Sequence, residues 1–368
     1  MPRSEGAVMS AEIAWFSALC DDDYEFLGVP DPLLRSSWEH CRNIVLVAER
    51  YGFDNVLLPS GYALGIDNTA FAAAIATCTS RIRLLLAIRM GELVAPQVAR
   101  QVASLQQIAE GRLVVNIISS DLPGESLASE PRYRRSTEYM YVIRELLDGR
   151  PVDFHGEFLD VTLDPPRIAG EVGACPAFYF GGLSEAAREC AARGADVYLM
   201  WPDTLEGVRA VMADMDARAA AHGRSLRYGW RSHVIVRETE DEARAAARRL
   251  LSRLDPAEGE AIRRRSLDSA SAGVARQAEL REAADDEGYV TRHLWTGVGR
   301  ARSGAGAAIV GDPDQVRDHI RELAAAGVDA FIFSGYPHAT ECDLFARYVL
   351  PELDHGRLEL TPSPVVVD

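Results

Sequence analysis

Short apolar runs alternate with amphipathic helical segments along the whole chain. We predict eight strands from these runs, at residues 12–18, 55–59, 83–90, 112–119, 177–181, 196–200, 228–236 and 330–334. Several runs, such as 83–90, are apolar on both faces, as strands of a sheet covered by helices must be. Eight such units favour an α/β fold of the (β/α)8 TIM-barrel type. A doubly wound open sheet is the alternative, although no Gly-x-Gly-x-x-Gly follows the first run.

Capping residues mark several predicted helices. The helix at 98–109 ends before Gly111, the helix at 184–193 begins at Ser184 and stops at Gly194, and the helix at 313–326 lies between Asp312 and Gly327. Two segments do not fit a plain barrel: a hairpin at about 151–162, and a charged helical insertion with a glycine-rich loop at about 255–307. We expect a single domain over residues 1–368 that carries both as insertions.

Composition excludes several classes of function. The sequence has a formal net charge of -16 and no lysine, which disfavours nucleic acid as a partner and excludes Schiff-base and P-loop lysine chemistry. No cysteine pair has metal-binding or disulfide spacing, and neither a signal peptide nor an apolar run of membrane-spanning length is evident. We expect a cytoplasmic protein with no metal and no membrane contact.

The turn Gly181-Gly182-Leu183-Ser184 joins a predicted strand to a helix. Backbone N–H groups and a hydroxyl at the positive end of a helix form a phosphate site. The same residues are also common in turns that merely connect a strand to a helix, so both interpretations stay open.

Arg231, His233 and Tyr336 follow or lie in neighbouring predicted strands. Arg231 and His233 are two residues apart on one strand and should face the same side, and the last strand should bring Tyr336 beside them. Such a group suits a sulfonate, carboxylate or phosphate, although an internal ion pair and a core histidine are the alternatives. The run Asp21-Asp22-Asp23 would suit a divalent cation only with further ligands, and we expect a solvated loop there.

Several stretches of the chain resemble one known family. They lie at residues 48–53, 99–105, 178–184, 221–224, 233–239, 295–312 and 334–338. In order and spacing they resemble the bacterial luciferase-like superfamily of flavin-dependent barrels, most closely the alkanesulfonate monooxygenases that use reduced FMN. The similarity extends from residue 12 to about residue 353.

The resemblance implies roles for individual residues. It implies a catalytic group with Arg302 on a mobile loop, an FMN phosphate site, a flavin edge, and a pocket around the flavin ring. The catalytic group would be Arg231, His233, Arg302 and Tyr336, and the phosphate site would be Gly182, Leu183, Ser184 and Tyr133. The flavin edge would be Asn116 and Ser119, and the pocket around the flavin ring would be Phe16, Ala87 and Trp201.

The implied reaction uses O2 and reduced FMN from a separate NAD(P)H:FMN reductase, and it converts an alkanesulfonate into sulfite and an aldehyde. Family members commonly form homodimers or homotetramers through helices near the second and third units. Three loops depart from the family pattern: those after the first, second and fourth strands, the first of which lacks the usual histidine. A sulfone or a biosynthetic intermediate as substrate, a deazaflavin-dependent dehydrogenase and a flavin-storage protein are therefore the alternatives.

Overall fold

A computed structural model describes residues 10–62, 65–125, 127–171, 173–264 and 271–367. The strands are β1 (Glu12–Phe16), β2 (Asn55–Leu58), β3 (Arg83–Arg89), β4 (Leu113–Ile118), β5 (Val152–His155), β6 (Asp160–Leu163), β7 (Phe178–Phe180), β8 (Val197–Met200), β9 (Arg227–Val236), β10 (Leu294–Trp295), β11 (Ala308–Gly311) and β12 (Ala330–Ser334).

The helices alternate with these strands. They are α1 (Trp38–Tyr51), α2 (Asn68–Ala76), α3 (Ala95–Ile108), α4 (Ser129–Leu147), α5 (Glu185–Gly194), α6 (Leu205–Ala221), α7 (Glu240–Leu251), α8 (Pro256–Arg264), α9 (Ala272–Glu282), α10 (Pro313–Ala326) and α11 (His338–Tyr348).

Eight parallel strands close into a barrel. Their order is β1, β2, β3, β4, β7, β8, β9 and β12, and β12 pairs with β1 to complete the ring. The predicted TIM barrel is confirmed, and each of the eight predicted runs overlaps one barrel strand, with β9 beginning one residue before its run. Ser184 caps α5, Asp312 caps α10 with a reciprocal capping box, and Gly327 ends α10 in the left-handed region, as the sequence indicates.

The sequence-based prediction omitted two strands beside the barrel, β10 and β11. β9 is ten residues long, and its second half pairs in parallel with β11, which pairs antiparallel with β10. The segment before β11 contains three glycines in eight residues, so the four-residue apolar run does not stand out. This side sheet fixes the segment that carries Arg302 above the carboxyl end of β9.

The barrel interior is apolar in the middle and polar at both ends. Strand alternation directs Phe16, Leu57, Leu85 and Ile332 inward. At the amino end of the strands, the buried Glu12 carboxylate accepts hydrogen bonds from Asn55 Nδ2 and Tyr179 Oη, at 3.0 and 2.9 Å. The opposite, carboxyl end therefore remains for function.

The two insertions take different forms. β5 and β6 form an antiparallel hairpin, and α8 and α9 lie in the segment between β9 and β10. Among the described residues, no helix is both long enough and apolar enough to span a membrane.

Candidate active site

Two guanidinium groups lie on one aromatic ring at the carboxyl end of the barrel. The Arg231 guanidinium carbon lies 4.5 Å from the centre of the Phe16 ring, and that of Arg302 lies 5.3 Å from the same centre. Phe16 ends β1 and Arg231 lies on β9, whereas Arg302 lies in the glycine-rich segment before β11. Distant parts of the chain thus bring two positive charges to one place.

Ser334, at the end of β12, links Arg231 to His233. Its hydroxyl oxygen accepts a hydrogen bond from Arg231 Nη2 at 2.9 Å and lies 2.7 Å from His233 Nδ1. Arg231 Nη1 also donates to the carbonyl oxygen of Ser232 at 2.6 Å. The guanidinium of Arg231 is thereby held by neutral acceptors alone.

Tyr336 completes this group. Its hydroxyl accepts a hydrogen bond from Arg302 Nη1 at 2.9 Å, and its ring stacks on His233 with centroids 5.3 Å apart. Burial raises the pKa of Tyr336 to about 12, so the phenol keeps its proton at neutral pH. Burial and the charge of Arg231 lower the pKa of His233 well below its usual value, so its imidazole is neutral.

Neither guanidinium has an acidic partner. In the part of the chain that the structure describes, no carboxylate lies within ion-pair distance of Arg231 or Arg302. Burial, followed by the charge of Arg302, lowers the pKa of Arg231. Burial lowers the pKa of Arg302 as well, but Tyr336, Cys20 and Asp21 outweigh it and raise the net value. Because unpaired buried charge is unfavourable, this arrangement calls for an anion.

The loop after β1 contradicts one expectation from sequence. Asp23 is fully buried and not part of a solvated loop. Its carboxylate lies 2.7 Å from His338 Nδ1 and 3.0 Å from His40 Nε2, and it accepts the backbone N–H of His338 at 2.8 Å. Burial would raise the pKa of Asp23, but His338 and His40 hold it well below its usual range. The run Asp21-Asp22-Asp23 alone could not reveal these partners, because they are distant in the sequence.

Asp23 and Cys20 are residues that sequence reasoning missed. Asp23 orients His338, whose ring stacks on Phe16 at 5.6 Å and meets Tyr336 edge-on at 5.0 Å. The Cys20 thiol lies 3.8 Å from Arg302 Nη2. The position of both residues directly after a barrel strand was the available signal.

The predicted phosphate turn lies at the same end of the barrel, between β7 and α5. Gly182 has a φ of 155°, and a Cβ atom there would lie 2.7 Å from Ala187 Cβ and 3.4 Å from Tyr133 Oη. Its carbonyl accepts a hydrogen bond from Tyr198 Oη at 2.5 Å, and the Ser184 hydroxyl accepts the N–H of Ala187. Leu183 lies half-buried between them. The glycine, the helix end and the tyrosine suit a phosphate.

The other predicted cofactor residues lie between these two groups or at their edge. Ala87 and Asn116 are register partners on β3 and β4, and Ser119 follows β4, where its hydroxyl accepts from Ser136 at 2.8 Å. Trp201 follows β8, and its ring packs against Gly273 of α9 and Gly304 beside Arg302. All thirteen predicted site residues therefore lie on or after the carboxyl halves of barrel strands or on segments packed above them.

A cavity of about 1120 Å³ opens beside this cluster, where β3 ends. It is lined by the end of β3, by the loops after β2, β3 and β4, and by α2 and α3, and Ala87 is the one predicted site residue among its lining. Beside it, Leu93, Val94 and Ile108 expose 42%, 65% and 44% of their surface. This face is the one where the family resemblance implies an oligomer contact.

Comparison with known proteins identifies the class. Residues 26–330 match the family model described as luciferase-like monooxygenase. The chain belongs to this family and is a monooxygenase, which confirms the resemblance seen in the sequence.

Individual relatives are closer still. The chain is 65% identical over 361 residues to the sulfoquinovose monooxygenase of Novosphingobium aromaticivorans, covering 96% of this chain and 100% of the relative. It is 48% identical to the sulfoquinovose monooxygenase of Agrobacterium fabrum, covering 96% and 92%.

Solved structures share the fold at lower identity. Long-chain alkane monooxygenase (LadA) superimposes with a TM-score of 0.75 at 17% identity, covering 96% of this chain and 94% of that one. EDTA monooxygenase (EmoA) from Chelativorans sp. BNC1 gives a TM-score of 0.73 at 18% identity, covering 94% and 93%. These likenesses support the barrel assignment.

Proposed function

We propose that this chain is a two-component, reduced-FMN-dependent monooxygenase that cleaves the carbon–sulfur bond of sulfoquinovose, a hexose with a sulfonate at C6. The observation that carries the proposal is the guanidinium pair of the buried Arg231 and the half-buried Arg302, which share the Phe16 ring and form no ion pair with a described residue. A sulfonate supplies the missing negative charge and three acceptor oxygens.

The overall reaction balances with one flavin and one O2. R–CH2–SO3⁻, O2 and reduced FMN give R–CHO, SO3²⁻, oxidised FMN, water and one proton. Reduced FMN supplies the two electrons that allow one oxygen atom to enter the aldehyde while the other becomes water. We further propose that a separate NAD(P)H:FMN reductase provides it.

The residues present fit this flavin. Gly182 leaves open the space between Ala187 and Tyr133, and the turn lies at the amino end of the ten-residue helix α5. Gly182, Leu183, Ser184 and Tyr133 would hold the phosphate, Asn116 and Ser119 would lie along the ring edge, and Phe16, Ala87 and Trp201 would surround the ring.

The polar residues would then hold the substrate and exclude water. Arg231 and Arg302 bind the sulfonate oxygens, and the protonated Tyr336 phenol donates a hydrogen bond. His233 is neutral and keeps Ser334 in place beside Arg231. Arg302 arrives from a segment that lies above the barrel mouth, so substrate binding and closure of the site are coupled.

Sulfite release tests the substrate. With reduced FMN and O2, we expect sulfite from sulfoquinovose but no formaldehyde from dimethyl sulfone, because this neutral molecule leaves the guanidiniums unpaired. Arg231→Met retains the length of the side chain and should lower kcat/KM by about 100-fold or more. Formaldehyde and methanesulfinate from dimethyl sulfone at a comparable rate would refute the sulfonate assignment.

Flavin binding tests the cofactor separately. Titration with reduced FMN, oxidised FMN and a reduced deazaflavin should give the tightest binding for reduced FMN. Preferred binding of deazaflavin, with turnover insensitive to O2, would instead identify a dehydrogenase on the same barrel. Tight retention of oxidised FMN without turnover would identify a storage protein.

A further inference from the structure

We propose that Asp21 recognises the hydroxyl groups of the substrate, with its free carboxylate oxygen accepting a hydrogen bond from the sugar while Arg231 and Arg302 bind the sulfonate. This inference rests on the proposed function and identifies the residue that selects a hydroxylated sulfonate over an unsubstituted alkanesulfonate.

The three consecutive aspartates after β1 have different surroundings. Asp23 is fully occupied by His338, His40 and the N–H of Tyr24, and Asp22 Oδ1 accepts the N–H of Ser36 at 2.8 Å. These two carboxylates shape the loop. Asp21 uses only Oδ1, which accepts from the N–H of Asp22 at 2.8 Å and from Tyr24 Oη at 3.3 Å. Within the residues that the structure describes, no hydrogen bond reaches Asp21 Oδ2.

Asp21 lies at the edge of the guanidinium pair. The preceding residue, Cys20, contacts Arg302, and the ring of Tyr24 meets Tyr336 edge-on with centroids 5.9 Å apart. Asp21 nevertheless forms no ion pair with Arg302, whose Nη1 and Nη2 contact Tyr336 and Cys20. Burial raises the pKa of Asp21, and the charge of Arg302 only partly opposes this. A half-buried carboxylate with a spare acceptor is therefore available beside the sulfonate site.

A second observation indicates that a ligand completes this end of the site. His338 is only 1% exposed, and its Nε2 atom has no hydrogen-bond partner among the described residues. Its ring lies between Phe16 and Tyr336, and Asp23 fixes its orientation from behind. Buried polar atoms are almost always paired in the functional state. Asp21 and His338 thus place one acceptor and one unpaired ring nitrogen around Tyr336.

The chemistry of these groups defines the class of ligand. A carboxylate repels a sulfonate and gains nothing from a methylene chain, which would only remove water from it. A hydroxyl donates to it. The site therefore has a cationic end for the sulfonate and an acceptor end for a hydroxyl-bearing carbon.

Two matched substitutions test the inference. Asp21→Asn retains the Oδ1 acceptor for Tyr24 but replaces the free oxygen by a donor, whereas Asp22→Asn makes the same change of charge at the neighbouring residue that holds Ser36. The measurements are the KM for sulfoquinovose, from sulfite release, and the inhibition constant of hexanesulfonate against sulfoquinovose. Hexanesulfonate carries the sulfonate without hydroxyls, and its inhibition requires no turnover.

Asp21→Asn should raise the KM for sulfoquinovose about tenfold or more, while hexanesulfonate binds equally well or more tightly. Asp22→Asn should shift both constants by less than about twofold. An Asp21→Asn enzyme with an unchanged KM, or with equal weakening for both compounds, would overturn the role of Asp21. Absence of sulfite from sulfoquinovose with the parent enzyme would instead overturn the proposed function itself.

Discussion

At the scale of single residues, the site depends on two guanidiniums that form no ion pair with any described residue. Arg231 is bound by the hydroxyl of Ser334 and a carbonyl oxygen, and Arg302 by a phenol and a thiol. Neutral partners orient a guanidinium without cancelling its charge. The site is therefore preorganised to bind an anion before the substrate is present.

Loss of Arg302 tests this directly. Arg302→Ala should lower sulfite formation by about 100-fold or more and leave the fold intact, because the half-buried side chain contacts Phe16, Tyr336 and Cys20 at the barrel mouth and lies in neither a helix nor a strand. Circular dichroism and the melting temperature report the fold. Arg300→Ala removes an exposed arginine two residues away and should retain full activity. Full activity in Arg302→Ala would contradict the role of this segment.

Asp23 should make stability depend on pH. Its pKa is lower in the folded protein than in the unfolded chain, so its carboxylate stabilises the fold above about pH 4 and loses this effect as the pH falls further. We expect Asp23→Asn to lower the melting temperature at pH 7, with the difference from the parent shrinking below about pH 4. Asp22→Asn is the control. A difference that is constant with pH would show that Asp23 acts only by packing.

Sequence reasoning could anticipate some of these neighbours and not others. The two-residue spacing of Arg231 and His233, and the adjacency of the strands that carry them and Tyr336, follow from strand alternation and barrel closure. The burial of Asp23 does not, because its partners His40 and His338 are 17 and 315 residues away. The acidic composition of the loop after β1 indicates exposure to solvent, but it does not identify residues that contact the loop from distant parts of the sequence.

At the scale of elements, α9 connects the Arg302 segment to the barrel. Gln277 of α9 is buried; its Oε1 accepts the N–H of Gly306 at 3.1 Å, and its Nε2 donates to the carbonyl of Pro202 at 2.7 Å. The ring of Trp201 packs against Gly273 and Gly304. One side chain thus joins the loop after β8 to the segment that carries Arg302.

Removing the hydrogen bonds of Gln277 should weaken closure of the Arg302 segment over the site without changing the charge of the site. In Gln277→Leu, we expect the ratio of hydrogen peroxide to sulfite to rise about threefold or more, because water reaches the site when the segment is less firmly held. Both products can be measured in one reaction. Gln107→Leu, at an exposed position of α3, provides the control. An unchanged ratio in Gln277→Leu would exclude α9 from closure.

The order of strands and helices was predictable where the alternation of apolar and polar residues extends over a whole element. The apolar runs and caps located the eight barrel strands, whereas β11 is four residues long and follows a glycine-rich stretch. Its place is determined by pairing with the second half of β9, a long-range contact that no local pattern reports.

At the scale of the whole molecule, the barrel leaves one apolar face uncovered. The exposed side chains of Val94 and Ile108 lie beside the cavity at α2 and α3, where we propose the contact of a homodimer or homotetramer. The double variant Val94→Glu and Ile108→Glu should shift the mass measured by light scattering towards the monomer. Leu33→Glu, at an 84% exposed residue elsewhere, should not change it. An oligomer that survives the double variant would place the contact elsewhere.

Substrate choice belongs to this scale as well, because it depends on how several loops meet. The loops after β1 and β2 contact each other through Gly61, where a Cβ atom would lie 2.7 Å from the backbone of Cys20. The sequence shows that these loops depart from the family pattern but not how they pack. The proposed preference for a sulfonated sugar therefore depends on how these two loops meet at Cys20 and Gly61.

A single-turnover reaction tests most directly whether reduced FMN and O2 drive the proposed carbon–sulfur cleavage. Enzyme, anaerobically reduced FMN and sulfoquinovose are mixed with oxygenated buffer in the absence of any reductase, and sulfite and the C6 aldehyde are quantified. We expect sulfite and aldehyde in equal amounts, approaching one of each per reduced FMN, and neither product when O2 is omitted. Oxidation of the flavin to hydrogen peroxide alone, with sulfoquinovose recovered unchanged, would contradict it.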